Sequence, residues 1–277
     1  VVVGVGTIPF IPAELRAAPE AGLAVHSADY LEHKEELLAQ ESVTIIGSGQ
    51  SAAEIYANLM EPAAYQGTRL DWVTRSGRFF PMEYTKLTLE MTSPEYAQFF
   101  RSLDAATRDR LNREQRNLYK GISGQLVNHI YDTYYRLSIT KGLPRPFAST
   151  LLAGWSAALC DADASAPFQL TLTHGETGET RTHATNTLVL ATGYKGPDHL
   201  VGRLFGEDVA ARVGRVWGFD EATQELRNMW TRTPQPGLWF TGGAFSQARI
   251  YSRFIALQIA AIEAGTLSKS FNCKHAN

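Results

Sequence analysis

The segment Gly47-Ser48-Gly49-Gln50-Ser51-Ala52 has the spacing G-x-G-x-x-A. Between a strand and a helix, that spacing makes a cradle for phosphate. Gly47 makes the tight turn, Gly49 lets a pyrophosphate approach the backbone, and Ala52 is small enough for close helix–strand packing. The first turn of the following helix adds backbone amides and the positive end of its dipole. The pattern therefore points to a dinucleotide, and by itself it also fits a plain glycine-rich turn. A second signal lies at Thr74-Arg75-Ser76, where an NAD site normally carries an acid for the ribose diol. Arg75 suits a 2′-phosphate, with Ser76 as an added donor, which favours NADPH over NADH. A solvated surface arginine is the other reading of Arg75.

The elements around the loop fit a Rossmann-like α/β fold. SVTII before Gly47 reads as a buried strand, SAAEIYANLM after it as a helix, and Arg69–Gly77 as the next strand, so residues 42–76 make one βαβ unit. Val1–Gly6 reads as a buried strand, and Val25–Leu31 as a short connection into a helix over Glu32–Gln40. Residues 93–140 read as mostly helical, with Ser93 as N-cap and Pro94 at the first helical position. FQLTLTH and ETRTHATNTLVLATGY read as strands of a small antiparallel addition. The end is a strand, GLWFTGGAF, running into a helix that Gly265 stops.

Composition narrows the function class. With a net charge of -2 and 19% charged residues, the 277-residue chain lacks the basic excess of a general nucleic-acid binder. Its two cysteines, Cys160 and Cys273, form no CxxC pair, so neither a metal ribbon nor a dithiol redox centre is expected. Two free thiols fit a reducing cytoplasm, and no apolar run reaches membrane-spanning length.

The motifs GVGTIPFIP, VHSADYL, GSGQSAAE and LVLATGY occur in that order, a set that resembles flavin-dependent monooxygenases with two dinucleotide-binding domains. EYTKLTLEMTSPEYAQFF and REQRNLYKGISGQLVNHIYDTYY narrow the resemblance to the lysine and ornithine N-hydroxylases of siderophore pathways. This resemblance implies a cytoplasmic NADPH- and FAD-dependent enzyme that hydroxylates an amine nitrogen with O2, and which forms homo-oligomers in many members. Hydride passes to the flavin, reduced flavin and O2 give the C4a-hydroperoxide, and the neutral amine attacks its distal oxygen. It implies that Gln50 positions nicotinamide and flavin. It also implies that Thr192, Gly193 and Tyr194 approach the cofactors, and that Gly242 and Gly243 let backbone approach the flavin ring. Lys120 is a candidate contact to substrate or NADPH phosphate. His26 is expected to be structural rather than catalytic. Leu89 stands where the family normally has a substrate-binding Asn, and the tail from Trp239 onward departs from the siderophore enzymes.

In the family an FAD loop precedes the NADPH loop, and this chain has no such loop; Pro9 and Pro12 forbid a helix start after Gly4 and Gly6. The expected organisation is residues 1–35 as a crossover and FAD-domain remnant, 36–185 as an NADPH-binding domain with a helical insertion, and 186–277 as the C-terminal part of the FAD domain. On that division the chain is the C-terminal two-thirds of a longer enzyme, and the apolar faces of its divided sheet are exposed, a liability for solubility. Two other readings share some of these features. A disulfide reductase of the same fold lacks support without a cysteine pair. A non-catalytic NADP-binding module fits the missing FAD loop and Leu89. A flavin-containing monooxygenase is a third possibility within the class.

Overall fold

The computed structural model describes residues 1–268 except Tyr119, 161–165, Pro197, Phe219, 221–225 and Ala244; Cys273 lies outside the described residues. The chain forms two compact units, Pro9–Gly193 and Val1–Ile8 with the chain from Tyr194 onward. Their elements in chain order are β1 (Val2–Val3), β2 (Ile8–Pro9), α1 (Ala18–Ala21), β3 (Ala24–His26), α2 (Tyr30–Leu38), β4 (Ser42–Ile46), α3 (Gln50–Gln66), β5 (Arg69–Thr74), α4 (Pro94–Ser102), α5 (Ala105–Glu114), α6 (Gly124–Ile139), β6 (Leu151–Ala153), β7 (Trp155–Cys160), β8 (Phe168–His174), β9 (Thr180–Thr185), β10 (Thr187–Leu190), β11 (Tyr194–Lys195), α7 (Asp198–Phe205), α8 (Glu207–Val213), β12 (Trp239–Phe240) and α9 (Phe245–Glu263).

The larger unit is built on a five-stranded parallel sheet in the order β3-β10-β4-β5-β6. All five residues of β4 are buried, as expected for a central parallel strand covered on both faces. Successive side chains take opposite faces. Val43, Ile45, Leu70, Trp72 and Val189 pack with α2, α3 and α6, while Ile46, Val73, Leu188 and Leu190 pack on the other side. That second face is covered by the antiparallel sheet β7-β8-β9, through Phe168, Leu170 and Leu172. Helix α3 carries Ala52, Ala53, Ala63 and Ala64 on its buried side, and ends at Gly67 with φ of 77°. Ser93 caps α4 by accepting from the Tyr96 amide at 3.1 Å, with Pro94 at the first helical position.

Three sequence expectations change. Val25–Leu31 is not a plain connection: Ala24–His26 is an edge strand of the main sheet, and the helix starts at Tyr30. LVL of the LVLATGY stretch is not part of the antiparallel addition either, because β10 lies between β3 and β4 in the parallel sheet. For the same reason the compact units divide at 8/9 and 193/194, not at 35/36 and 185/186. Strands on both sides of those expected boundaries share one hydrogen-bonded ladder, Leu190↔His26 and Leu190↔Ile46.

In the smaller unit, β1 pairs in parallel with β12, Val2 opposite Trp239 and Val3 opposite Phe240. Of the expected buried strand Val1–Gly6, only Val3 is buried, since just two residues find a partner strand; Val1, Val2 and Val5 are exposed. Val3, Val201, Val213, Met229, Phe240 and Ile255 form this unit's core. Gly265, with φ of 71°, stops α9 as the spacing suggested. Strands β2 and β11 pair as a separate two-stranded sheet.

Candidate dinucleotide site

The phosphate loop sits at the carboxyl end of β4, held on three sides. The Gly47 amide donates to the Val73 carbonyl at 3.0 Å, and the Gly47 carbonyl accepts from the Trp72 indole N–H at 2.8 Å. Trp72 is itself locked between Tyr56 and Phe79, with ring centroids at 5.1 and 4.4 Å. On the third side the loop meets the end of β10: a Cβ on Gly47 would lie 2.3 Å from the Ala191 carbonyl oxygen. Gly47 is therefore required by close approach of two backbones. Gly49 differs. Its backbone is extended, φ -101° and ψ -176°, and a Cβ there would meet nothing within 4 Å. The space above Gly49 is open, at the N-terminus of the 17-residue helix α3.

That space belongs to a cleft of about 460 Å³ at the carboxyl ends of β4, β5 and β10. Gly47, Ser48, Gly49, Arg75, Thr192 and Gly193 line it together with Phe10, Pro12, Leu15, Trp155, Thr171 and Thr173. Arg75 is exposed at the rim. Trp155 is clasped edge-on by His174, with centroids 5.0 Å apart, and covered by the Arg181 guanidinium 4.0 Å from its ring centre. A crevice outside the carboxyl ends of parallel strands, floored by a helix N-terminus, is where this fold class binds nucleotides.

The far wall is fixed by His26. Its Nδ1 accepts the Ala28 amide at 3.1 Å, so Nε2 carries the proton and donates to the Gly193 carbonyl at 3.0 Å. Burial lowers its pKa from 6.5, against the opposing pull of the Gly193 carbonyl and Asp29. The Thr192 hydroxyl donates to the Phe10 carbonyl at 2.5 Å, and the Phe10 amide to the Gly193 carbonyl at 2.9 Å. The two hydrogen bonds of His26 anchor its ring to the backbone of Ala28 and Gly193.

A charged knot that the sequence did not reveal ties residues of β4, β5 and β9 together. The buried Asp71 carboxylate accepts from the Thr150 amide at 2.9 Å and from Arg69 Nε at 2.8 Å. His183 Nε2 lies 2.9 Å from the Thr44 hydroxyl and 3.5 Å from Asp71. Burial lowers the His183 pKa from 6.5, opposed by Asp71 and reinforced by Arg69 and Arg181.

The structure does not bring every candidate together. The Gln50 amide is engaged elsewhere: Oε1 accepts the Ser123 amide at 2.8 Å and Nε2 donates to Glu54 at 2.9 Å, tying the loop to the start of α6. Ser51 is exposed on the first turn of α3, and the Ser76 amide donates to Thr74 Oγ1 at 3.1 Å. Tyr194 lies beyond the boundary of the larger unit, 48% exposed. Leu89 is partly exposed on the 3-10 turn Thr88–Thr92, and Lys120 is exposed; neither lines this cleft. Gly242 and Gly243 line a second cavity of about 610 Å³ within the smaller unit, with Gly4, Gly6, Trp217 and Trp230. Among the described residues no group of His, Cys, Asp and Glu could hold a metal ion, and no helix is long and apolar enough to cross a membrane.

Comparison with known proteins places these features in a family. Residues 1–196 match the family model described as L-lysine 6-monooxygenase/L-ornithine 5-monooxygenase. An alcaligin biosynthesis enzyme of Bordetella pertussis is 41% identical over 236 residues, 81% of this chain and 49% of its own length. A putrescine N-hydroxylase of Shewanella oneidensis is 40% identical over 204 residues, 73% of this chain and 39% of its own. This chain thus spans about half the length of the curated relatives it matches. The FAD-bound cadaverine monooxygenase of desferrioxamine biosynthesis from Erwinia amylovora superposes with a TM-score of 0.71 at 31% identity, over 100% of this chain and 63% of that one. The chain belongs to the L-lysine 6-monooxygenase/L-ornithine 5-monooxygenase family of flavoprotein fold.

Proposed function

We propose that this protein hydroxylates the nitrogen of a small aliphatic diamine, using NADPH, FAD and O2, and that Pro9–Gly193 binds the NADPH. The observation that carries the reading is the cleft over Gly49. Its floor is the N-terminus of α3, its glycine leaves room for a pyrophosphate, and Arg75 stands at the rim. When bound, the two cofactors supply the redox chemistry, a hydride from NADPH and activation of O2 at the flavin.

The chain's own residues bind and orient. The amides of the first turn of α3 suit the pyrophosphate, and the Arg75 guanidinium suits the 2′-phosphate. Trp155, Leu15 and Phe10 give the cleft an apolar surface that keeps water from the bound nucleotide. The Gly242–Gly243 turn, beside Gly4 and Gly6, lets a flavin come close to backbone in the smaller unit.

A diamine, rather than an amino acid, is supported by two features. Two relatives named as putrescine N-hydroxylases are 40% and 37% identical, whereas an ornithine monooxygenase of Pseudomonas aeruginosa is 30% identical. Leu89, in the position of the family's substrate Asn, offers no side-chain hydrogen bond to an amino-acid head group. The test is to supply the protein with FAD and NADPH and measure hydroxylamine product from putrescine, cadaverine, lysine and ornithine. Diamines are expected to give product and the amino acids little. Product from ornithine or lysine alone overturns the diamine assignment; cofactor consumption with no hydroxylamine from any amine overturns the N-hydroxylation reading.

A further inference from the structure

Among the described residues, three non-glycines have left-handed backbone: Trp217, Asn228 and Trp230, with φ of 75°, 54° and 62°. This conformation is costly for a bulky side chain and persists only where the surroundings enforce it. Both tryptophans line the second cavity. Their restraints are on view. Trp217 and Arg227 are bridged backbone to backbone, the Trp217 amide donating to the Arg227 carbonyl at 3.0 Å. The Asn228 amide side chain donates to the carbonyls of Val213 and Arg215 at 2.7 and 2.9 Å. Trp230 is clipped twice to one segment, its backbone amide to the Phe240 carbonyl at 2.9 Å and its indole N–H to the Gly242 carbonyl at 3.0 Å.

The two rings are used differently. Trp230 is 8% exposed and serves as a strut for the Gly242–Gly243 turn. Trp217 is 36% exposed. Its indole rests on Gly242, where an added Cβ would come within 3.3 Å of Cζ3, and a Cβ added to Gly196 would lie 3.2 Å from the Trp217 Cβ. Glycines thus seat the ring against backbone on one side and leave part of it uncovered. Among the described residues, the cavity lining contains no Asp, Glu, Lys, Arg or His. An uncharged cavity with glycine backbone on one side and an indole on another suits a flat, neutral ring with hydrogen-bonding edges.

We propose that Trp217 stacks on the isoalloxazine ring of the flavin and that its left-handed backbone holds the indole in that pose. The assignment rests on the reading that this protein uses FAD. It makes Trp217 a flavin-positioning residue, in a stretch beyond the part of the chain that the family model matches.

Two titrations test it, one with riboflavin, which carries the ring without phosphates, and one with FAD. Both follow flavin and tryptophan fluorescence, for wild type, Trp217→Phe and Trp217→Gly. Glycine suits the left-handed backbone, so Trp217→Gly removes the ring without imposing new strain, and Trp217→Phe keeps an aromatic face; a thermal melt of each variant checks the fold. Wild type is expected to quench flavin fluorescence. Trp217→Gly should bind riboflavin roughly tenfold more weakly, as for loss of one stacking partner, with the residual bound flavin brighter, and Trp217→Phe should lie between. Equal riboflavin and FAD affinity with unchanged quenching in Trp217→Gly overturns the stacking while leaving the FAD reading intact. Wild type that binds neither riboflavin nor FAD overturns both.

Discussion

The cleft in Pro9–Gly193 lies at the ends of parallel strands, and its loop residues Gly47, Arg75 and Thr192 follow on from β4, β5 and β10. The cavity of the smaller unit lies beside a strand pair of two residues each, and its walls come from tryptophans in left-handed backbone. The first site stands on a five-stranded ladder with single bonds such as Trp72 to Gly47 added to it, the other on a two-residue pair and single bonds such as Trp230 to Gly242. A regular scaffold spreads the burden of positioning over a ladder. An irregular one concentrates it on a few residues whose conformation must be enforced locally. The contrast predicts that the larger unit tolerates substitution except where backbones touch.

The sharpest way to break this contrast uses two glycines in one loop. Gly47→Ala drives a Cβ into the Ala191 carbonyl, and since neither backbone can yield, it should cost about 1–3 kcal/mol of stability, as overpacking does. Gly49→Ala meets open space, so its urea midpoint should match wild type, while NADPH affinity, read by tryptophan quenching, falls because the methyl occupies the pyrophosphate's place. If Gly49→Ala binds NADPH normally, the ligand does not lie where the cleft suggests.

Next in size is the rim. Arg75→Ala should weaken NADPH by roughly 10- to 100-fold, the range for a lost hydrogen bond to a charged group. NADH, which lacks the 2′-phosphate, should be unaffected. An equal loss for both would mean that Arg75 supports the loop rather than reading the phosphate. Calorimetric titration with the two nucleotides separates these outcomes.

The smallest effect is one of pH. His183 is held neutral in the folded chain, its pKa lowered from 6.5 chiefly by burial. The unfolded chain therefore takes up a proton first as pH falls. Stability contributed by this group should be complete above about pH 6.5 and decline below it, and His26 acts in the same direction. Urea midpoints across pH 5 to 8 measure the slope, and His183→Asn should flatten it. An unchanged slope would assign the dependence to His26 or to carboxylates.

Much of the regular unit was legible. The phosphate loop, its flanking strand and helix, the next strand with Arg75, and the Ser93–Pro94 start of α4 all follow from local spacing and capping chemistry. What escaped was non-local. β3 is three residues long and gains strand character only by pairing with β10, more than 160 residues away in sequence. The same pairing explains why the expected domain boundaries fell inside a single sheet. The bond from the Ser123 amide to Gln50 was also not legible, a partner set by how α6 enters the fold. The Asp71–His183 knot likewise needed two distant strands to meet. Trp217 and Trp230 gave no signal, because a residue's type does not announce a backbone conformation that it disfavours.

The contact between Gly47 and Ala191 has a thermodynamic meaning for ligand binding. With its amide on Val73, its carbonyl on the Trp72 indole and its Cα against β10, the start of the loop holds its geometry before any nucleotide arrives. Little chain entropy remains there for a ligand to remove, so association at this cradle should be close to rigid docking. Selectivity among nucleotides then rests on what each presents to the rim at Arg75, and not on how far the loop is able to adapt.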